Sequence, residues 1–262
     1  MKETRFNIIR AKLPYLSFVE RLLVKSFLFC FKNLIMVENE ENLLLADDPV
    51  IYSFNHNNYL ETLLVSFYLI FQRGGKKISF VIDWMYGRLL LLSWLFNKIE
   101  PIYVYNKTAK LAVINRQRKV VPGITVYQEC VARLKNKQSI GIFPEGTRNN
   151  NPLLLKRGRK GVGAMVLASE AAVVPIGIIF PHRPQRGWLS PLRTMTIRIG
   201  KPMRFAPELA RAREMAANPA LAHGKSRRWS TLLAARITHR LMEALARLSG
   251  KRYPFPAPEA FP

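Results

Sequence analysis

The residues best equipped for chemistry in this 262-residue chain lie in Ser53-Phe54-Asn55-His56-Asn57-Asn58-Tyr59-Leu60-Glu61. An imidazole and a carboxylate stand five positions apart, where an apolar strand-like run from Pro49 to Phe54 gives way to a helical run from Thr62 to Phe71. At ~100° per residue, five helical steps would turn two side chains ~140° away from each other. His56 is therefore expected ahead of the helix and Glu61 in its first turn. The carboxylate can then fold back onto one imidazole nitrogen and fix the tautomer, while the other nitrogen faces outward as a general base near neutral pH. The same residues also fit a plainer description, a polar turn between strand and helix with Asn57 or Asn58 as the cap.

A second stretch, Ile142-Phe143-Pro144-Glu145-Gly146-Thr147-Arg148, follows an apolar run that starts at Ser139. It reads as a strand ending in a turn that carries a carboxylate and a guanidinium on a glycine-permitted bend. Arg148 has the fork geometry for phosphate oxygens, and Lys156, Arg157, Arg159 and Lys160 follow closely.

Taken in order, Asn55-His56 with Glu61, Phe143 to Arg148, Leu155-Lys156-Arg157-Gly158 and Val173-Val174-Pro175-Ile176-Gly177 resemble the blocks of the glycerolipid acyltransferases typified by 1-acylglycerol-3-phosphate acyltransferase. The resemblance covers residues 42 to 205, and the hexapeptide from Phe143 to Arg148 is its most specific part. It departs from the family in two places. Glu61 stands where the family usually has Asp, a carboxylate one methylene shorter. Asn106 stands where its second block has an arginine, and the neighbouring Lys107 can supply the charge only as a point charge without bidentate geometry.

Elements must position these residues, and length and composition bound what they can be. The chain is 49% hydrophobic and 22% charged, enough for one large domain with a substantial core. Its net charge of +24 implies an anionic partner, whether phospholipid surface, phosphorylated substrate, acidic carrier protein or nucleic acid. Cys30 and Cys130 have neither metal spacing nor the density of a disulfide scaffold. His182, His223 and His239 stand apart from one another and from any acidic cluster, so neither a metal site nor a cofactor is expected.

Residues 1 to 41 precede the first block. From Leu13 the chain is rich in Leu, Phe and Val yet carries Glu20, Arg21, Lys25 and Lys32, so no uncharged run reaches the ~18 residues that span a bilayer. Leu22, Leu23, Phe27 and Phe31 fall near helical spacing, with Lys25 and Lys32 placed to snorkel toward phosphates. The segment around residues 13 to 37 is therefore expected to be an interfacial amphipathic helix or helical pair, the alternative being a cap packed on the core.

Beyond it, strands are expected at 49–54, 78–82, 102–105, 139–143, 173–180 with a break at Pro175, and 195–199. Helices are expected at 62–71, 123–135, 160–171, 207–217 and 231–248, with 218–228 a loop. The strongly apolar 84–96 stretch could be core, line the acyl-chain tunnel or dip into lipid. Such alternation predicts an α/β fold, a mixed central sheet flanked by helices, with a membrane-associating segment at 1–41 and an acyltransferase domain at 42–262. Gly158-Arg159-Lys160-Gly161-Val162-Gly163 lacks both phosphate-loop spacings, so no nucleotide fold is indicated.

The resemblance implies acyl transfer from acyl-CoA or an acidic acyl-carrier protein, as co-substrate, to the free hydroxyl of a lysophospholipid, foremost 1-acylglycerol-3-phosphate. His56 would be the base and Glu61 its orienter. Asn55, Phe143, Glu145, Gly146, Thr147, Arg148, Lys156 and Lys107 would shape the acceptor side, and Pro175 with its strand the donor side. Such a protein would sit on the cytoplasmic face of an anionic phospholipid membrane, monotopic or peripheral, without nucleic acid. Two alternatives stand beside it: another acceptor, such as glycerol-3-phosphate or a lyso-aminolipid, and a non-catalytic basic module on membrane or nucleic acid. Basic runs without interleaved aromatics argue against stacked bases.

Overall fold

The computed structural model describes residues 8–57, 59–84, 100–105, 125–180, 194–217 and 224–258. The strands are β1 (Ile35–Glu38), β2 (Val50–Phe54), β3 (Ile78–Asp83), β4 (Ile102–Val104), β5 (Ser139–Ile142), β6 (Ala172–Ile179) and β7 (Met195–Ile199). The helices are α1 (Phe18–Phe31), α2 (Tyr59–Gln72), α3 (Val126–Lys135), α4 (Gly161–Ser169), α5 (Ala206–Ala217) and α6 (Gly224–Ser249).

The seven strands form one mixed sheet in the order β1-β7-β6-β2-β5-β3-β4. β6, β2, β5, β3 and β4 run parallel, β7 is antiparallel to β6, and β1 is parallel to β7. All five residues of β2 are buried, as a central strand covered on both faces requires. Val50, Tyr52 and Phe54 point into a core shared with α1 and α2, and Ile51 into one shared with α3, α4 and α6. The expected α/β architecture is the one observed, with helices on both sides of the sheet.

Local chemistry explains the helix starts. Ser17 and Glu20 form a capping box ahead of α1, and Thr125 and Gln128 form another ahead of α3. The small-residue helix α4 lets two backbones meet: a methyl group on Gly163 would lie 2.0 Å from the Ala234 carbonyl oxygen of α6. Along α6, Leu233, Ile237, Leu241 and Leu245 are all buried, as their spacing predicts.

Three expectations are corrected. β6 runs unbroken through Pro175, because the fixed φ of proline suits extended backbone and costs the strand only one N–H donor. Its carbonyl still accepts from the Gly200 N–H at 2.8 Å. Helix α6 begins at Gly224, inside the stretch read as a loop, and its first turn, Gly-Lys-Ser-Arg-Arg, carries no apolar spacing to announce it. Ile35–Glu38, read as part of the N-terminal segment, is instead an edge strand in register with Met195–Arg198.

Helix α1 is half core and half surface. Val24 and Leu28 are buried, and Phe27 packs on Phe67 of α2 with ring centroids 4.3 Å apart. Phe18, Val19, Leu22 and Phe29 remain exposed. No helix among the described residues is long and apolar enough to cross a membrane. Residues 85–99, which hold most of the apolar 84–96 stretch, lie outside the described residues.

Candidate active site

Three neighbouring parallel strands deliver the site: β2 in the middle, β5 on one side and β6 on the other. The His56 loop leaves the carboxyl end of β2 and the Pro144-Glu145-Gly146-Thr147 turn leaves that of β5. In open α/β sheets this rim is where ligands bind.

Asn55 sets the direction in which the loop leaves the sheet. Its carboxamide copies a strand ladder, accepting from the Ile178 N–H at 2.7 Å and donating to the Ile178 carbonyl at 2.9 Å. Fully buried, with its carboxamide bonded to β6, Asn55 anchors the loop.

His56 Nδ1 lies 2.6 Å from Glu61 Oε1, and Glu61, in the first turn of α2, is completely buried. Two further donors converge on that carboxylate, the Asn57 backbone N–H at 2.5 Å from Oε1 and the Asn57 side-chain amide at 3.2 Å from Oε2. Because a carboxylate facing such donors is an acceptor, the contact favours a proton on Nδ1, and in the neutral ring the lone pair then lies on Nε2. The Phe143 ring stacks 4.3 Å from the imidazole at 30° and also packs on Phe54, which limits how the histidine can rotate.

Glu145 turns inward. Its Oε1 accepts the His56 backbone N–H at 3.0 Å, and its Oε2 accepts the Asn149 side-chain amide at 2.7 Å and the Lys156 backbone N–H at 2.8 Å. The Asn149 N–H closes the clamp on the His56 carbonyl at 2.8 Å. With 3% of its surface exposed and both oxygens engaged, Glu145 braces the histidine loop.

The rest of the turn faces outward. Gly146 holds φ +69°, the left-handed conformation that glycine adopts without strain, and the Arg159 side chain lies across it. Thr147 and Arg148 are half-buried, and the Lys156 ammonium reaches back to Thr147 Oγ1 at 3.2 Å and to the Arg148 carbonyl at 2.5 Å. Lys156 thereby braces the segment that presents Arg148. Pro175 is buried within β6 against Gly200. Asn106 and Lys107 lie outside the described residues.

Two participants carry no signal in the sequence. Asn149 is one asparagine among several after the turn. Lys251 is one of 41 basic residues, yet its ammonium comes back from beyond α6 to Asn57 Oδ1 at 2.6 Å and the Asn151 carbonyl at 2.9 Å. Burial pulls its pKa below the usual lysine value, while the Glu145 and Glu61 charges hold it up.

No cysteine nucleophile serves this site. Cys130 is buried on α3, where burial pushes its thiol up to about 12, and Cys30 is exposed on α1. Among the described residues no group of three or more His, Cys, Asp or Glu side chains could hold a metal ion. His239 lies 3.4 Å from Glu243 and against the Tyr253 ring.

Fold and site together place a histidine–carboxylate pair at the carboxyl ends of a parallel sheet. The chain belongs to the acyltransferase family, whose model matches residues 34–179. Its fold is similar to the crystal structure of the 1-acyl-sn-glycerophosphate (LPA) acyltransferase PlsC from Thermotoga maritima, with a TM-score of 0.51 and 16% sequence identity over 88% of this chain and 81% of that one. No curated protein matches the sequence.

Proposed function

We propose that this acyltransferase moves a fatty acyl chain from acyl-CoA or acyl-carrier protein to the free hydroxyl of a lysophospholipid, with 1-acylglycerol-3-phosphate as acceptor and phosphatidic acid as product. The observation that carries the reading is the 2.6 Å contact between His56 Nδ1 and the buried Glu61, which leaves Nε2 as base. Nε2 takes the proton of the acceptor hydroxyl, and the oxygen attacks the thioester carbonyl carbon. The carbon–sulfur bond breaks, and the thiolate leaves with the proton returned by the imidazolium. Glu61 stabilises that imidazolium, as the aspartate of a catalytic triad does.

Arg148 supports a phosphate-bearing acceptor, because this half-buried arginine follows directly on the turn that Glu145 ties to His56. For surroundings, we propose attachment to the cytoplasmic face of an anionic membrane through the exposed Phe18, Val19, Leu22 and Phe29 of α1, helped by the +24 charge.

The test is a panel of lysolipids, including lysophosphatidic acid and lysophosphatidylcholine, with glycerol-3-phosphate, offered with labelled acyl-CoA and acylated carrier protein and read by mass spectrometry. Phosphatidic acid should dominate, and His56→Ala should reduce turnover by ~10² to 10⁴. Arg148→Ala should lower kcat/KM for the phosphate acceptor by roughly ten- to a hundredfold, the equivalent of losing one charge-assisted contact, and leave a zwitterionic acceptor little changed. Preference of the unmodified protein for lysophosphatidylcholine would refute the phosphate-monoester assignment.

A further inference from the structure

Helix α6 ends at Gly250, whose φ of +69° reverses the chain, and the residues after it run back over the site rather than away from it. Arg252 exchanges backbone hydrogen bonds with Leu153 and Leu155 at 2.8 and 2.9 Å. The Tyr253 hydroxyl accepts from the Gly158 N–H at 3.3 Å, and the Arg157 guanidinium lies over the Phe255 ring. This strap holds Lys251 where its aliphatic stem is half-buried and its ammonium meets the histidine loop.

We propose that Lys251 is a positioning residue of the acyl-transfer site, orienting the Asn57 carboxamide against Glu61 and placing a positive charge beside the buried Glu61 and Glu145 carboxylates. The inference rests on reading His56 as the base. Geometry makes the first part specific: with its oxygen held by Lys251 at 2.6 Å, the Asn57 amide can only present its nitrogen to Glu61, at 3.2 Å, and to the Ile178 carbonyl, also at 3.2 Å. A flipped amide would set oxygen against carboxylate and against carbonyl. Glu61 and Glu145 are 0% and 3% exposed, so solvent stabilises their charges little, and the Lys251 charge adds to what their hydrogen-bond donors supply.

Among the described residues, the charged and titratable groups around the histidine loop come from α2, from the β5 turn and from the strap. From α2 comes Glu61, and from the β5 turn come Glu145 and Arg148, with Arg159 lying across Gly146. Lys156 has its ammonium on Thr147 and on the Arg148 carbonyl. From the strap come Lys251, the exposed Arg252 and Tyr253. Lys251 is the cation whose pKa reflects both Glu145 and Glu61.

The sign of the effect follows. Lys251 is tied to Asn57, the neighbour of His56, and a positive charge there opposes a second one on the imidazole, so removing it makes His56 easier to protonate. In Lys251→Met the His56 titration should move to higher pH, and the acid limb of kcat should move up with it. Lys251→Arg, which keeps the charge, should restore both. Lys251→Gln keeps a hydrogen-bond donor for Asn57 without the charge, so it should show the raised titration with a smaller loss of kcat than Met. It also serves if the Met variant folds poorly.

The measurement is the ¹H–¹³C signal of the His56 ring through a pH titration of each full-length variant, alongside pH profiles of acyl transfer. A His56 titration that stays put in both Lys251→Met and Lys251→Gln overturns the inference, even if melting temperature and rate fall, since a merely structural strap would lower those alone. If the titration moves while no acceptor in the panel is acylated, the Lys251 inference stands and the acyltransferase chemistry is what fails.

Discussion

Replacing Glu145 with glutamine tests whether the most recognisable stretch of the chain holds substrate or holds the enzyme together. The carboxylate accepts three donors, one on Oε1 and two on Oε2. Glutamine keeps the size but offers a single acceptor oxygen. Placed toward Asn149 and Lys156, it turns its own NH₂ onto the His56 N–H. Placed the other way, it faces two donors with two more. Either orientation strands at least one buried donor, at a cost of about 1–3 kcal/mol, and removes charge assistance from the remaining bonds. A loss of roughly 2–4 kcal/mol is expected, which for a chain of this size lowers Tm by roughly 5–15 °C. Because the His56 backbone is one of the displaced partners, kcat should fall by ~10-fold or more while KM for the acceptor changes little. Urea unfolding and steady-state kinetics on Glu145→Gln measure both quantities. A variant with unchanged unfolding and kcat but a raised acceptor KM would refute the bracing role and return Glu145 to the substrate pocket.

Two shorter predictions concern the dyad and the surface. Glu61→Asp should retain partial activity, since a carboxylate survives but must reach one methylene further to Nδ1, whereas Glu61→Gln should lose most of it; equal losses in rate assays would mean that charge is not what matters. Vesicle sedimentation on anionic liposomes should show binding that weakens with added salt, as a polybasic attraction screened over about 8 Å at physiological ionic strength does. It should weaken again in a Phe18→Ser, Leu22→Ser, Phe29→Ser triple variant; salt-insensitive binding unaffected by that triple change would refute the α1 mode.

How much of this was legible beforehand differs between fold and site. Helices and strands announced themselves wherever apolar spacing was regular: β7 and α5 lie within a residue of their expected bounds, and Glu61 sits in the helical turn that angular arithmetic assigned it. Legibility failed where the pattern is carried by only a few residues. The four residues of β1 show a single buried position, so an edge strand could pass for the end of an amphipathic helix. Pro175 misled because a proline's effect on a strand depends on which hydrogen bond it forgoes, a fact of register rather than of residue type.

In the site, residue types were readable and residue roles were not. Asn55, His56, Glu61, Phe143, Glu145 and Arg148 do converge on one sheet rim, yet a carboxylate or an amide has the same letter whether it faces ligand or protein. Asn55 and Glu145 both face protein, and what decides this is burial together with a complete set of partners. Lys251 is the opposite case, 194 positions from Asn57 and joined to it only by the turn at Gly250 and the strap's bridge to Leu154. A histidine motif names the candidate base. The loop geometry that lets it act is set by β6, by the β5 turn and by a lysine from the far end of the chain, which is why changes at Glu145 and Lys251 should register in kcat and in the His56 titration before they register in substrate affinity.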